Sequence, residues 1–238
     1  MRRGLPVIVG LLLVVAAGFQ MNRAQAEEKK AEAKQLFNGK DLTGWDGDPA
    51  VWKVEDGAIT GQTTADKPVA NNTFIIWKGG TVKNFELRLK YKISNHNSGI
   101  QYRSKDEGNH AVSGYQADIV GDEKDKYTGI LYEEKGRGIL AERGEDVTMS
   151  ADGKKTVNGS VGDSDVILEA IKKNDWNEYT IIAKGNKLTH IINGETTMTF
   201  TDNQSDKAAR EGILALQIHK GPAMKVQFKD VELTELGE

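Results

Sequence analysis

Cysteine is absent from all 238 residues, which excludes a disulfide framework, a thiolate nucleophile and a lipid anchor on a cysteine after cleavage. Stability must come from a packed core, which a chain of this length can build. Proline is scarce too, at 4 residues against 26 glycines, a balance that favours tight turns over disordered linkers. The apolar run Leu5–Phe19 falls short of the roughly 20 residues a membrane-spanning helix needs. It follows Arg2 and Arg3 and precedes Ala24-Gln25-Ala26, the order of a secretory signal peptide cleaved after Ala26. A twin-arginine route wants more sequence than Met1 leaves before Arg2. The expectation is an exported bacterial protein, periplasmic or secreted, with no membrane anchor after cleavage. Cleavage removes Arg2, Arg3 and Arg23 and no acid, taking the formal net charge from −3 to −6. Nucleic acid and anionic membranes are poor partners for such a chain.

After a charged leader over residues 27–35, order is expected to begin at Leu36, as one domain over residues 36–238. Short apolar or alternating runs recur between glycine and asparagine turns, as in Thr73–Trp77, Phe85–Ile93, Lys187–Ile192 and Ile213–Ile218. The steps Asp56-Gly57, Gly185-Asn186 and Asn193-Gly194 supply the positive φ angles of hairpin turns, so sequence neighbours should pair antiparallel. Along Phe85–Ile93 every second residue is apolar, one face buried and one wet. An all-β, two-sheet antiparallel sandwich follows, with Ala141–Gly162, which lacks either period, as a long loop beside the functional face. Trp45, Trp52 and Trp77 read as core, and His190 as surface or packing.

Three strands share one design. Gln101 and Arg103 alternate with Ile100 and Tyr102; Gln116 and Asp118 alternate with Tyr115 and Ile119; Gln217 and His219 alternate with Leu216 and Ile218. Each has an apolar face for the core and an opposite face that can donate, accept or exchange protons. The same positions read equally as ordinary wet faces of surface strands. His219 titrates near neutrality unless perturbed. Asp118, Glu133 and Glu134 are candidate carboxylates, with Glu133 and Tyr132 at a strand end. Glycines flank Arg137, so a bend there can present its guanidinium fork to ligand oxygens. Trp176 opens a strand and is the stacking candidate. Asp122, Glu123 and Asp125 lack the spacing of a calcium-binding EF-hand.

The run Leu36-Phe37-Asn38-Gly39-Lys40-Asp41-Leu42-Thr43-Gly44-Trp45 resembles the opening of the 3-keto-disaccharide hydrolase domain family. WKVEDGAITG, NFELRLKYKIS, NSGIQYRS, GYQADI, TGILYEE, WNEYTIIAKGNKLTHIINGE and GILALQIHKG follow in order to about Leu236. The resemblance implies a jelly roll of the concanavalin A-like lectin and glucanase type, with a carbohydrate cleft on its concave sheet. It also implies cleavage of glycosides already oxidised at C3: the ketone acidifies the C2 hydrogen, a base removes it, the C1 substituent leaves, and water adds. On that reading His219, Asp118 or Glu133 handle protons, while Gln101, Arg103, Gln116, Tyr132, Arg137, Trp176 and Gln217 bind the sugar. One divalent metal ion held by Asp118 and His219 would share the enolate charge. The alternative is a non-catalytic, lectin-like binding module on the same face. A conventional glycosidase would need two carboxylates facing each other across the cleft.

Overall fold

The computed structural model describes Met1 and residues 32–122 and 126–237. The expected signal peptide, residues 27–31 of the leader, Glu123 and Asp125 lie outside the described residues.

The strands are β1 (Lys34–Gln35), β2 (Trp45–Asp46), β3 (Trp52–Glu55), β4 (Ala58–Gln62), β5 (Thr73–Trp77), β6 (Phe85–Ser94), β7 (Asn97–Gly108), β8 (Ala111–Val120), β9 (Leu131–Glu134), β10 (Gly138–Ala141), β11 (Glu145–Met149), β12 (Lys155–Ser160), β13 (Asn177–Lys184), β14 (Lys187–Ile192), β15 (Glu195–Asp202), β16 (Ile213–Ile218) and β17 (Lys225–Glu235). One helical turn, α1 (Ser164–Glu169), is capped by Asp163, whose carboxylate accepts from the N–H groups of Asp165 and Val166. The larger sheet runs β12-β11-β15-β14-β13-β6-β17-β4-β3, with β1 added on β17. The smaller runs β10-β9-β8-β7-β16-β5-β2. The molecule is an all-β jelly-roll sandwich.

Period-two patterning decides which side chains meet between the sheets. Leu87, Leu89, Tyr91 and Phe228 of the larger sheet face Ile75, Ile100, Tyr115 and Leu216 of the smaller one in a single core cluster. Trp45, Trp52 and Trp77 are buried in it. The hairpin steps behave as their residue types require: Asp56 and Gly57 take φ of 52° and 70°, and Asn193 and Gly194 take 52° and 91°.

Two expectations need correction. Ala141–Gly162 is not a structureless loop, because β11 and β12 form a hairpin there that extends the larger sheet. Every residue of β12 is exposed, so that strand buries no face and its sequence carries no apolar period. β11 also joins β15 in parallel, against the antiparallel rule elsewhere. Order begins before Leu36: Lys34 and Gln35 pair with Leu233 and Glu232 of β17.

Candidate functional site

The site lies on the outer face of the smaller sheet, where register lines up four neighbouring strands. Tyr132 of β9 stands opposite Gln116 of β8, Gln116 opposite Gln101 of β7, and Gln101 opposite Ala215 of β16. Gly99 stands opposite Asp118. A Cβ at Gly99 would come within 2.4 Å of Gln116 Cγ, so the missing side chain makes room for the glutamine to reach along its own strand.

The polar groups on this face form a branched chain. Ser104 Oγ donates to Gln101 Oε1 at 2.7 Å, Gln101 Nε2 donates to Gln116 Oε1 at 2.8 Å, and Gln116 Nε2 donates to Asp118 Oδ1 at 2.6 Å. A longer arm runs from Gln116 Nε2 to Gln217 Oε1 at 3.5 Å, and from Gln217 Nε2 to Glu134 Oε2 at 3.3 Å. Asn97 Nδ2 reaches Asp118 Oδ2 at 3.3 Å, and Asn72 Nδ2 reaches Glu134 Oε1 at 3.3 Å. Gln101, Gln116 and Gln217 are buried, while Tyr132 and Glu134 are half-buried. The glutamines thus act on the carboxylates from beneath and do not themselves offer a surface to sugar. Burial pushes the Glu134 carboxyl above its ordinary range, against the opposing pull of Asn72, Lys135 and Gln217. Burial also raises the Tyr132 phenol, helped by the negative charges of Glu134 and Asp118.

At one end of this face two imidazoles meet edge to face, with ring centroids 4.7 Å apart. His219 Nδ1 is 2.6 Å and His96 Nε2 is 2.8 Å from the same acceptor, the Lys220 carbonyl oxygen. The two nitrogens are also 3.0 Å from each other; a carbonyl only accepts, and the shorter contact places the His219 proton on Nδ1. That leaves His219 Nε2 with its lone pair. Burial lowers the His219 pKa, the Lys220 carbonyl opposes this, and the charge of His96 adds to it. His96 sits with Asn95 where the chain crosses between sheets, both with left-handed φ, 61° and 58°. The bend is fixed by His96 N–H donating to Asp122 Oδ1 at 2.7 Å and Gly121 N–H donating to the His96 carbonyl at 2.8 Å. Asn72 Oδ1 accepts from Lys220 N–H at 3.0 Å, which ties the histidine turn to the Glu134 partner.

Several expected site residues are elsewhere. β7 carries a register shift between Tyr102 and Lys105, and Arg103 takes φ of 45° there, so it leaves the face of Gln101. Its buried guanidinium donates to the carbonyls of Lys83 at 2.7 Å and Gly185 at 2.8 Å and to Asn84 Oδ1 at 3.3 Å. Glu133 alternates with Tyr132 and points to the opposite side, where Arg137 Nε donates to its Oε2 at 2.8 Å. Arg137 Nη2 also donates to Asp202 Oδ2 at 2.8 Å, and Tyr115 Oη donates to the same atom. Burial alone would lower the Arg137 pKa, but Glu133 and Asp202 outweigh it and raise it. These groups tie the two sheets together. Trp176 lies on the outer face of the larger sheet, against Lys229 and Lys92.

Glu134, one of the candidate carboxylates, belongs to the site, and His96 joins it. Alternation from Tyr132 was the signal for Glu134; His96 had none, because a returning loop 123 residues away delivers its partner. Among the described residues no group of three or more His, Asp and Glu side chains stands together to hold a metal ion. Asp118 and His219, among the described residues, have no third His, Asp or Glu side chain beside them to complete a divalent-ion site.

The protein is a two-sheet jelly-roll sandwich whose smaller sheet carries a polar, hydrogen-bonded patch on its outer face. The chain belongs to the family of 3-keto-alpha-glucoside-1,2-lyase-like domains, whose model matches residues 32–234. It is similar to two solved structures from Parabacteroides distasonis, each a proposed glycosyl hydrolase. One is 20% identical, with 86% of this chain and 100% of that one covered and a TM-score of 0.59. The other is 22% identical, with 86% and 94% covered and a TM-score of 0.55. The carbohydrate binding module CBM66 from Bacillus subtilis shares the fold at 14% identity, with 82% and 97% covered and a TM-score of 0.53. No curated protein matches the sequence.

Proposed function

We propose that this protein is an exported enzyme that cleaves 3-keto-glycosides by elimination across C1 and C2 followed by hydration. The observation that carries the reading is a neutral histidine and two carboxylates tied to one hydrogen-bonded patch. His219 is committed through Nδ1 to the Lys220 carbonyl, and its depressed pKa keeps Nε2 a free base at neutral pH. Nε2 takes the C2 proton, and the C2–H electron pair becomes the enolate of the C3 ketone. As the C3 carbonyl re-forms, a C1–C2 double bond forms and the C1–O bond breaks. Glu134, which burial inclines to hold its proton, donates that proton to the departing oxygen. Water then adds across C1–C2. Asp118, buried like the glutamines and braced by Gln116 and Asn97, anchors the amide chain that positions Glu134. Family membership supports the reaction class.

The test is incubation of the purified protein with a panel of 3-keto-glucosides. Release of aglycone and keto sugar is expected, at rates that fall in His219→Gln and Glu134→Gln. No release across the panel, together with retention of unmodified glycans, would replace this reading with the lectin-like one that the binding-module fold makes available.

A further inference from the structure

Glu134 is delivered by β9 and His219 by the end of β16, two strands that are not neighbours in the smaller sheet. No backbone ladder therefore holds the one against the other. The side chain of Asn72 meets both. β5 and β16 pair as far as Thr73 opposite Ile218. One step further the ladder stops, and Asn72 Oδ1 takes the next donor, the Lys220 N–H, at 3.0 Å. Nδ2 of the same amide lies 3.3 Å and 3.4 Å from the two Glu134 carboxylate oxygens.

The histidine turn depends on such a tether. Residues 220–223 are exposed and lie outside any strand. Gly221 cannot carry a side chain there, because a Cβ would come within 2.7 Å of His96 Nε2. The Lys220 carbonyl is the acceptor for both imidazoles, so a shift of Lys220 is a shift of His219. At the other end of the amide, burial pushes the Glu134 carboxyl up and the Asn72 hydrogen bond is the largest pull against it. Asparagine suits both jobs: one short planar group offers a donor and an acceptor, where aspartate lacks the donor and leucine lacks both.

We infer that Asn72 is the positioning residue of this site, its single amide holding the acid Glu134 and the base His219 in step with each other. The inference rests on the reaction proposed above, in which those two groups move protons; Asn72 itself moves none.

Two substitutions divide the work of the amide. Asn72→Asp keeps an acceptor for the Lys220 N–H but sets a like charge where the donor to Glu134 stood; Asn72→Ala removes both partners. On alkyl 3-keto-glucosides kcat should fall by roughly ten- to a hundredfold in each, the cost of a misplaced catalytic group, with little change in KM. On nitrophenyl 3-keto-glucosides, whose departing oxygen needs no proton, Asn72→Asp should keep most of its rate and Asn72→Ala should not. Long-range proton–nitrogen NMR spectra of the imidazoles need no substrate: the His219 nitrogens should keep their wild-type shifts in Asn72→Asp and move in Asn72→Ala. A residue that only stabilises its loop would slow both substrates alike, in proportion to the folded fraction. Equal losses on both substrates in Asn72→Asp, or wild-type His219 shifts in Asn72→Ala, would overturn the inference. If the wild type releases nothing from any 3-keto-glucoside, the proposed reaction fails, and the imidazole spectra still decide whether Asn72 places His219.

Discussion

Asp118 and Glu134, on different strands of the smaller sheet, are joined through two buried amides: Gln116 donates to Asp118 Oδ1 and also toward Gln217, which donates to Glu134 Oε2. A buried amide has fixed donors and acceptors, so the carboxylates are held in place while remaining chemically distinct. Burial raises the Glu134 carboxyl above its ordinary range. If it protonates the departing oxygen, Glu134→Gln should lower turnover by roughly 10² to 10⁴ on alkyl 3-keto-glucosides. The loss should shrink toward none on nitrophenyl 3-keto-glucosides, whose leaving group needs no proton. Equal losses on both, read from initial rates, would make Glu134 a structural carboxylate.

His219 separates elimination from recognition. His219→Gln keeps an amide able to donate to the Lys220 carbonyl, so the turn should persist, while the lone pair at Nε2 is lost. Turnover should fall by roughly 10² to 10⁴ with little change in sugar binding. In the wild type the acid limb of kcat/KM should fall below pH 6.5, because burial depresses the imidazole pKa. A purely structural histidine would instead leave the pH profile in place and lower the melting temperature.

The sandwich was legible in the chain because hairpin steps and period-two alternation are local signals; Thr73–Trp77 and Lys187–Ile192 match β5 and β14 residue for residue. The face shared by Gln116, Asp118 and Gln217 was legible for the same reason. What failed was whatever alternation does not govern. Arg103 leaves its face because a bulge resets the period. Glu133 and Glu134 are adjacent carboxylates, and only alternation from Tyr132, which shares the face of Glu134, tells them apart. The exposed strand β12 buries nothing that could leave a pattern. The approach of His96 to His219 is a tertiary event.

His190, fully buried on β14, accepts or donates at both ring nitrogens, with Tyr102 Oη 2.9 Å from Nε2 and Tyr179 Oη 3.1 Å from Nδ1. Burial lowers its pKa to about 3, the Ile130 carbonyl opposing the fall. The folded state therefore holds neutral imidazole, while the unfolded chain takes up a proton below about 6.5. Its contribution is complete above pH 6.5 and is lost progressively as pH falls toward about 3. Urea unfolding should show stability declining already between pH 6.5 and 5, before most carboxylates titrate. His190→Gln should be less stable at pH 7, by about 1 to 3 kcal/mol for an unpaired buried hydroxyl, with a flatter slope in that window. His219, also depressed, contributes to the same window, so the comparison belongs in a His219→Gln background. An unchanged slope there would show that His190 does not titrate with unfolding.

Arg137 spans Glu133 of the smaller sheet and Asp202 of the larger one, and Asp202 is 1% exposed. Arg137→Met leaves Glu133 and Asp202 buried without their cation, Asp202 keeping the Tyr115 hydroxyl and the Gln204 N–H and Glu133 the backbone N–H of residue 137, so stability at pH 7 should fall by about 3 to 5 kcal/mol. The loss should lessen as pH is lowered, because protonation removes the uncompensated charges. Adding Asp202→Asn to Arg137→Met should recover part of the loss, since a neutral amide no longer needs the guanidinium and can still accept from the Tyr115 hydroxyl. A ligand-binding arginine predicts otherwise: Arg137→Met would melt near the wild type and lose sugar affinity. Chemical denaturation of the single and double variants, with rates on a 3-keto-glucoside measured on the same folded samples, decides between the two, and a stable Arg137→Met protein would return Arg137 to the binding face.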